Sequence, residues 1–197
     1  MSDLLALDVA ILPPADVRDR ATRLSAALPE PDFQGLRLDE AHLPHITLTQ
    51  QFVHADELDR AFNRLDDILR TQPPLRLCVT GLRKTLASTV SMAIERTNAL
   101  VSLHARLMDV LEEFERVGGG AAAFVDGDAR VADVAWVTGY RLKSSLMSYA
   151  PHITLGHASE PPRIDPFIFE ARTIAACHLG RFCTCQRVLR MWELGAA

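Results

Sequence analysis

The strings Pro44-His45-Ile46-Thr47-Leu48 and Pro151-His152-Ile153-Thr154-Leu155 are identical and lie 107 residues apart in a chain of 197. Each half of the chain therefore holds one copy. In a strand, side chains alternate between faces, so His45 and Thr47 point one way while Ile46 and Leu48 point the other. The second copy obeys the same rule. Each copy anchors itself through an Ile-Leu pair and presents a His-Thr pair on the opposite face. Two lobes related by an approximate two-fold axis would bring those pairs to opposite walls of one cleft.

The rest of the chain reads as strands and helices in two halves. Leu4 to Leu12 is a strand stopped by Pro13-Pro14, which open a helix with Val17, Ala21, Leu24 and Leu28 on its apolar stripe. Pro29 and Pro31 end it. Leu36-Arg37-Leu38 reads as a short strand before the first motif. A second helix spans about Asp56 to Arg70, closed by Pro73-Pro74. Strands follow at Leu75–Leu82 and Val90–Ile94, with Arg83–Thr89 as the loop between them. A third helix starts near Thr97 or Asn98, buries Leu100, Leu103, Leu107, Leu111 and Phe114, and stops at Gly118-Gly119-Gly120. Ala121 to Ala150 is less regular; Ala132 to Val137 fits a strand or a short helix, and a connection of this length points to a substrate loop. Phe167–Cys177 and Phe182–Leu194 read as the final strands, turning at Gly180. This order is α+β, with helices outside the sheets, and the 197 residues read as a single bilobal domain.

A hydrophobic content of 48% supports a substantial core. No apolar run is long enough to span a bilayer. The start, MSDLLALDVAILPP, lacks the basic and small-residue features of a secretory signal, so a cytoplasmic protein is expected. The net charge of −4 argues against a broad nucleic-acid platform, which neutralises many phosphates, but leaves room for a local phosphate site. Cys78, Cys177, Cys183 and Cys185 are expected to be reduced. Their spacing lacks the paired pattern of a zinc site, so no metal is expected, and Cys183 and Cys185 read as small apolar residues on one face of the last strand.

Two imidazoles and two hydroxyls facing each other form a set suited to phosphoryl chemistry without a metal. Near neutral pH one imidazole can take a proton while the other gives one. Threonine hydroxyls can donate to non-bridging phosphate oxygens, where negative charge must be held. This is the equipment for in-line attack on a phosphodiester.

His45-Ile46-Thr47-Leu48 and His152-Ile153-Thr154-Leu155 together resemble the paired His-x-Thr/Ser-x motifs of the 2H phosphoesterase superfamily. Within it, the chain is most similar to the bacterial 2′-5′ RNA ligase and 2′,3′-cyclic nucleotide phosphodiesterase group. The resemblance covers nearly the whole chain. It implies a bilobal fold with two antiparallel sheets around a central cleft, catalytic His45 and His152, and phosphate-binding Thr47 and Thr154. It also implies hydrolysis of a 2′,3′-cyclic phosphate on a nucleotide or RNA terminus to a 2′-phosphate, together with reversible 2′-5′ RNA ligation. No cofactor or membrane is called for, and a monomer is expected. Which histidine is the acid stays open.

Thr49 continues the face of His45 and Thr47 by strand alternation and is a candidate cleft residue. Tyr149, just before the second motif, is a candidate for stacking on a base. Arg141 and Lys143 alternate on one side, as phosphate contacts or a solvated face. His42, His54, His104, His157 and His178 read as structural or surface residues; alternation turns His157 away from His152. Other readings are a phosphodiesterase acting on 2′-5′ oligonucleotides or an ADP-ribose cyclic phosphate, a nucleotide-binding protein without turnover, and a metallohydrolase with histidine ligands.

Overall fold

In the run LLALDVAIL, apolar residues occupy both faces of strand β1 (Leu4–Leu12), and from Ala6 onward every residue is buried. Such a strand needs packing on both sides. Pro13 and Pro14 end it, and Pro14 caps helix α1 (Ala15–Ala26), which buries Val17, Ala21 and Ser25. Then come β2 (Ile46–His54), α2 (Leu58–Leu69) and β3 (Leu75–Lys84). The second half supplies β4 (Thr89–Ile94), α3 (Asn98–Val110), α4 (Val131–Lys143) and β5 (His152–His157). Strands β6 (Phe167–Ala171), β7 (Thr173–Leu179) and β8 (Cys185–Glu193) complete the chain. This computed structural model describes residues 3–29, 35–85 and 87–195.

The strands form two antiparallel sheets, ordered β2-β1-β7-β8 and β5-β4-β3-β6. Each motif strand, β2 or β5, is the edge of its own sheet and pairs with the strand that opens its own half. The halves also exchange elements. Strand β3 leaves the first half to join the second sheet, and β7 returns to the first. Helix α1, which follows β1, packs on β5; helix α3, which follows β4, packs on β2. Ile46, Leu48, Ile153 and Leu155 are all fully buried in one shared core. Each such side chain contributes about 1.5–3 kcal/mol of burial, so the motif strands are fixed from behind.

Both motif strands carry a β-bulge at the same place. In β1–β2, Ala10 pairs with Thr47 and Val9 with Thr49, leaving Leu48 as the extra residue. In β4–β5, Ser91 pairs with Thr154 and Val90 with Gly156, leaving Leu155 extra. A bulge shifts the alternation of everything after it. The residue after the bulge, Thr49 or Gly156, therefore takes the core side. The next residue, Gln50 or His157, returns to the face of the motif histidine.

Several boundaries differ from those read in the sequence. Leu36 to Leu38 forms no strand, and the Pro31 stop lies outside the described residues. The apolar stretch from Phe167 divides at Arg172 into β6 and β7, which belong to different sheets. Residues Arg181–Cys183 form a short 3-10 turn with Phe182 and Cys183 at positive φ, so Cys183 precedes the last strand and only Cys185 enters it. The irregular segment resolves into α4, its N-terminus fixed by Asp133, which accepts from the backbone and guanidinium of Arg130. Arg141 on α4 pairs with Glu115 and with the Met108 carbonyl, and Lys143 is exposed.

Candidate active site

A cavity of about 630 Å³ is lined by residues of both sheets and of α4, including His45, Thr47, Gln50, Arg83, Ser91, Trp136, Tyr149, His152, Thr154 and His157. The structure thus brings together the four motif residues that the repeat singles out. Both histidines are held in the same way. His45 Nδ1 lies 2.8 Å from the carbonyl of Leu43, and His152 Nδ1 lies 2.8 Å from the carbonyl of Ala150. A carbonyl only accepts, so each Nδ1 carries its proton and Nε2 is left for chemistry. The partner in each case lies two residues upstream, across the proline of PHITL. Proline has no N–H, and it restrains the chain at this point.

The two halves differ in charge. Asp8 on β1, fully buried, lies opposite Gln50, and its carboxylate comes within 3.7 Å of His45 Nε2. Its Oδ2 accepts from the Thr47 hydroxyl at 2.8 Å and the Gln50 amide at 2.7 Å. Burial pushes the Asp8 carboxyl up from its ordinary value, against the opposing pull of His45, Gln50 and Thr47. By register, the position that Asp8 holds beside β2 is held beside β5 by Thr89. The second wall instead carries Arg83, which donates to the Ser91 hydroxyl at 3.1 Å and to the Ala150 carbonyl at 3.3 Å. His152 is pushed down to about 4, chiefly by burial, with Arg83 and His45 adding to it against the pull of the Ala150 carbonyl. An imidazolium at His45 faces a carboxylate; one at His152 would face a guanidinium.

Thr49 pairs with Val9 and is fully buried on the core side, with its hydroxyl unpartnered among the described residues. The bulge at Leu48 removes it from the face of His45 that simple alternation assigns to it. The equivalent bulge at Leu155 acts in the opposite sense on His157, which joins the cavity wall. Tyr149 is 4% exposed. One face of its ring stacks on His104, with centroids 3.9 Å apart and planes 2° from parallel, and its hydroxyl donates to the Thr47 carbonyl at 3.0 Å. Tyr149 therefore ties the second motif to the first. Trp136 on α4 is the large aromatic that lines the cavity with much of its surface open, at 47% exposure. Phe182, also on the wall, is covered by the Arg130 guanidinium 3.7 Å from its centroid.

Asp8, Gln50, Arg83 and His157 are site residues that the motif alone does not reveal. Asp8 has a signal in the sequence: it is the one charged residue in an otherwise apolar strand. The others depend on the bulges and on the pairing of β3 with β4. Among the described residues, donor atoms of Asp8, His45 and Cys185 lie within 4.8 Å of one another. The Cys185 thiol is pushed well up, chiefly by burial and then by its hydrogen bond with Cys177, and Asp8 already accepts two hydrogen bonds. A cation there would have to displace a thiol proton and compete with Thr47 and Gln50.

Comparison with known proteins agrees with this architecture. E. coli LigT, in a crystal structure complexed with NADP+, superposes with a TM-score of 0.63 at 20% identity, covering 98% of this chain and 99% of that one. The same protein complexed with 3′-AMP gives a TM-score of 0.62 over the same shares at 20% identity. TT0787 of Thermus thermophilus gives 0.61 at 16% identity, covering 96% and 98%. At these identities the likeness is one of fold. No curated protein matches the sequence. The model of the 2′-5′ RNA ligase superfamily matches residues 13–176, a span that holds both motifs and all four strands of the second sheet, and the chain belongs to that superfamily.

Proposed function

We propose that the protein hydrolyses 2′,3′-cyclic phosphates on nucleotides or RNA termini to 2′-phosphates, with His152 as general base and His45 as general acid. The observation that carries the reading is the matched pair of imidazoles on opposite walls, each with Nδ1 tied to a carbonyl and Nε2 left for chemistry. His152, neutral and beside Arg83, takes a proton from water as the oxygen attacks phosphorus. The P–O3′ bond breaks, and His45, its imidazolium facing the Asp8 carboxylate, protonates the departing 3′ oxygen. Thr154 and Thr47 hold the non-bridging oxygens, and Thr47 turns its hydroxyl proton from Asp8 towards the phosphate to do so. Arg83 adds positive charge on the base side. With a 5′-hydroxyl in place of water as the attacking group, the same sequence would join ends through a 2′-5′ bond: the P–O5′ bond forms, the P–O3′ bond breaks, and His45 protonates the 3′ oxygen. Each chain holds both motifs, so a monomer suffices.

Solved complexes of E. coli LigT with 3′-AMP, ATP and phosphate are consistent with nucleotide-sized occupants for this fold. The test is hydrolysis of a 2′,3′-cyclic nucleotide, with the product identified by phosphorus NMR. A 2′-phosphate is expected from the wild type, with His45→Ala and His152→Ala slower by about 10²–10⁴-fold. Wild-type rates in both variants would overturn the reading. A 3′-phosphate product would overturn the assigned leaving group.

A further inference from the structure

Behind each motif, the helix contributed by the opposite half places one buried polar side chain between two backbone groups. On α1, Ser25 is fully buried. Its hydroxyl donates to the carbonyl of Leu155, the bulged residue of the second motif, at 2.5 Å. The same oxygen accepts from the N–H of Leu38, at 3.0 Å, in the loop leading to the first motif. On α3, His104 is also fully buried. Its Nδ1 lies 2.6 Å from the carbonyl of Leu48, the bulged residue of the first motif. Its Nε2 accepts from the N–H of Leu146, at 2.8 Å, in the loop leading to the second motif. The two side chains thus make the same pair of bonds with the halves reversed. Each clasps the bulge of one motif and the approach to the other.

The bonding fixes the state of His104. A carbonyl partner requires a proton on Nδ1, and an N–H partner requires a lone pair on Nε2, so the ring is neutral. The groups facing it agree: Arg96 and Arg141 are the nearby cations, the Tyr149 ring stacks on it, and the Tyr140 hydroxyl reaches the same Leu48 carbonyl at 3.5 Å. Leu146 gives independent support. Its φ is +49°, a left-handed conformation that costs a bulky L-residue free energy and persists where surrounding contacts impose it. His104 holds its N–H, and Arg96 donates to its carbonyl at 3.0 Å.

We propose that Ser25 and His104 are paired positioning residues that set the placement of His45 and His152 across the cleft, each acting on both motifs at once. The inference rests on the proposed acid–base pair for its consequence in rate, but its geometry stands apart from it. Backbone shifts of about 1 Å can cost 10²-fold in rate when they misplace reacting groups. Neither side chain lines the cavity.

The test compares Ser25→Ala, His104→Asn and His104→Gln with the wild type. It uses NMR titration of the His45 and His152 rings alongside cyclic-nucleotide kinetics, with thermal melts as the control for folding. Asparagine restores a donor near the position of Nδ1 and loses the bond to Leu146. Glutamine restores an acceptor near Nε2 and loses the bond to the Leu48 bulge. His104→Asn should therefore move the His152 titration more than that of His45, and His104→Gln the reverse. Each of the three should lower kcat by about tenfold or more while KM changes little. A uniform loss of stability would not produce that split. Folded variants whose ring titrations match the wild type overturn the proposal. If the wild type hydrolyses no cyclic phosphate, the functional reading fails while the NMR comparison still decides this one. Should Ser25→Ala not fold, the opposite responses of the two His104 variants decide it.

Discussion

The Asp8 carboxylate lies 3.7 Å from Nε2 of His45, buried at the centre of β1, and the register places Thr89, not an acid, at the equivalent position in the second sheet. The near-symmetric cleft is electrostatically one-sided, and that sidedness is the basis for proposing His45 as the acid and His152 as the base. Asp8→Asn removes the anion and keeps the shape. It should lower kcat by about 10–100-fold, as weakened support for a general acid does. Its stability should respond differently to pH. Burial raises the Asp8 carboxyl in the folded state, so the unfolded chain releases that proton more readily. The wild type therefore loses stability as pH rises above the ordinary aspartate value near 4 and through the raised one. Denaturant melts across pH should show the stability of the wild type relative to Asp8→Asn falling as pH rises through that range, because the variant lacks this contribution and shares the others.

His152 predicts the opposite slope. Its folded value is about 4, against about 6.5 for a free histidine. Between those values the unfolded state binds the extra proton. The stability contributed is complete above about pH 6.5 and is lost as pH falls towards 4. Under the proposed mechanism His152 is the general base, and it stays neutral through the same window. The acid limb of kcat/KM should fall near pH 4, and a limb near 6.5 would count against His152 as the base in the free enzyme.

Metal dependence separates this mechanism from a metallohydrolase built on the same donors. Hydrolysis should continue at full rate in chelator. Added zinc should inhibit if it reaches Asp8, His45 and Cys185, because it would occupy the acid, and Cys185→Ser should weaken that inhibition. Activity that disappears with chelator and returns with zinc would favour the metal reading.

Trp136 is placed to serve as the base-stacking surface, since Tyr149 has one face covered by His104. Base–aromatic stacking is worth about 1–3 kcal/mol, so Trp136→Ala should raise KM about 5–100-fold with a smaller effect on kcat. A non-nucleoside cyclic phosphate should show no such change. A Tyr149→Phe variant, which loses only the bond to the Thr47 carbonyl, should act on kcat instead.

The repeat and the strand period carried much of this structure. Two halves, two motif strands, and the opposition of His-Thr to Ile-Leu all follow from residues 44–48 and 151–155. What they could not carry depends on pairing between distant segments. Nothing local marks Leu48 or Leu155 as bulged, because the extra residue is defined by its partner strand. The roles of Thr49 and His157 therefore exchange relative to simple alternation. Gly156 is the closest thing to a local trace. Its φ is +144°, and an added Cβ would come within 3.0 Å of Leu28 and 3.2 Å of the Leu36 carbonyl. Arg83 and Ser25 were equally hidden, one across a sheet and the other on a helix from the opposite half. His104 looked structural in sequence, and it is buried, but its two bonds join the motifs.

The bulge makes Thr47 and Thr49 differ sharply although they stand two residues apart in one strand. Thr47 faces the cavity and binds Asp8; Thr49 is buried in the core with no partner for its hydroxyl among the described residues. An unpaired buried hydroxyl costs stability, and valine has the same shape without it. Thr49→Val should hold or raise stability, by up to about 1 kcal/mol, and leave turnover unchanged. Thr47→Val removes a donor to the phosphate and a bond to the Asp8 carboxylate. It should lower kcat/KM by about 10–10³-fold, as loss of a single transition-state donor does. Simple alternation would give the two variants similar effects on turnover. Paired melts and steady-state kinetics on the two variants separate these cases, and a loss of turnover in Thr49→Val equal to that in Thr47→Val would mean that the bulge at Leu48 does not form as described.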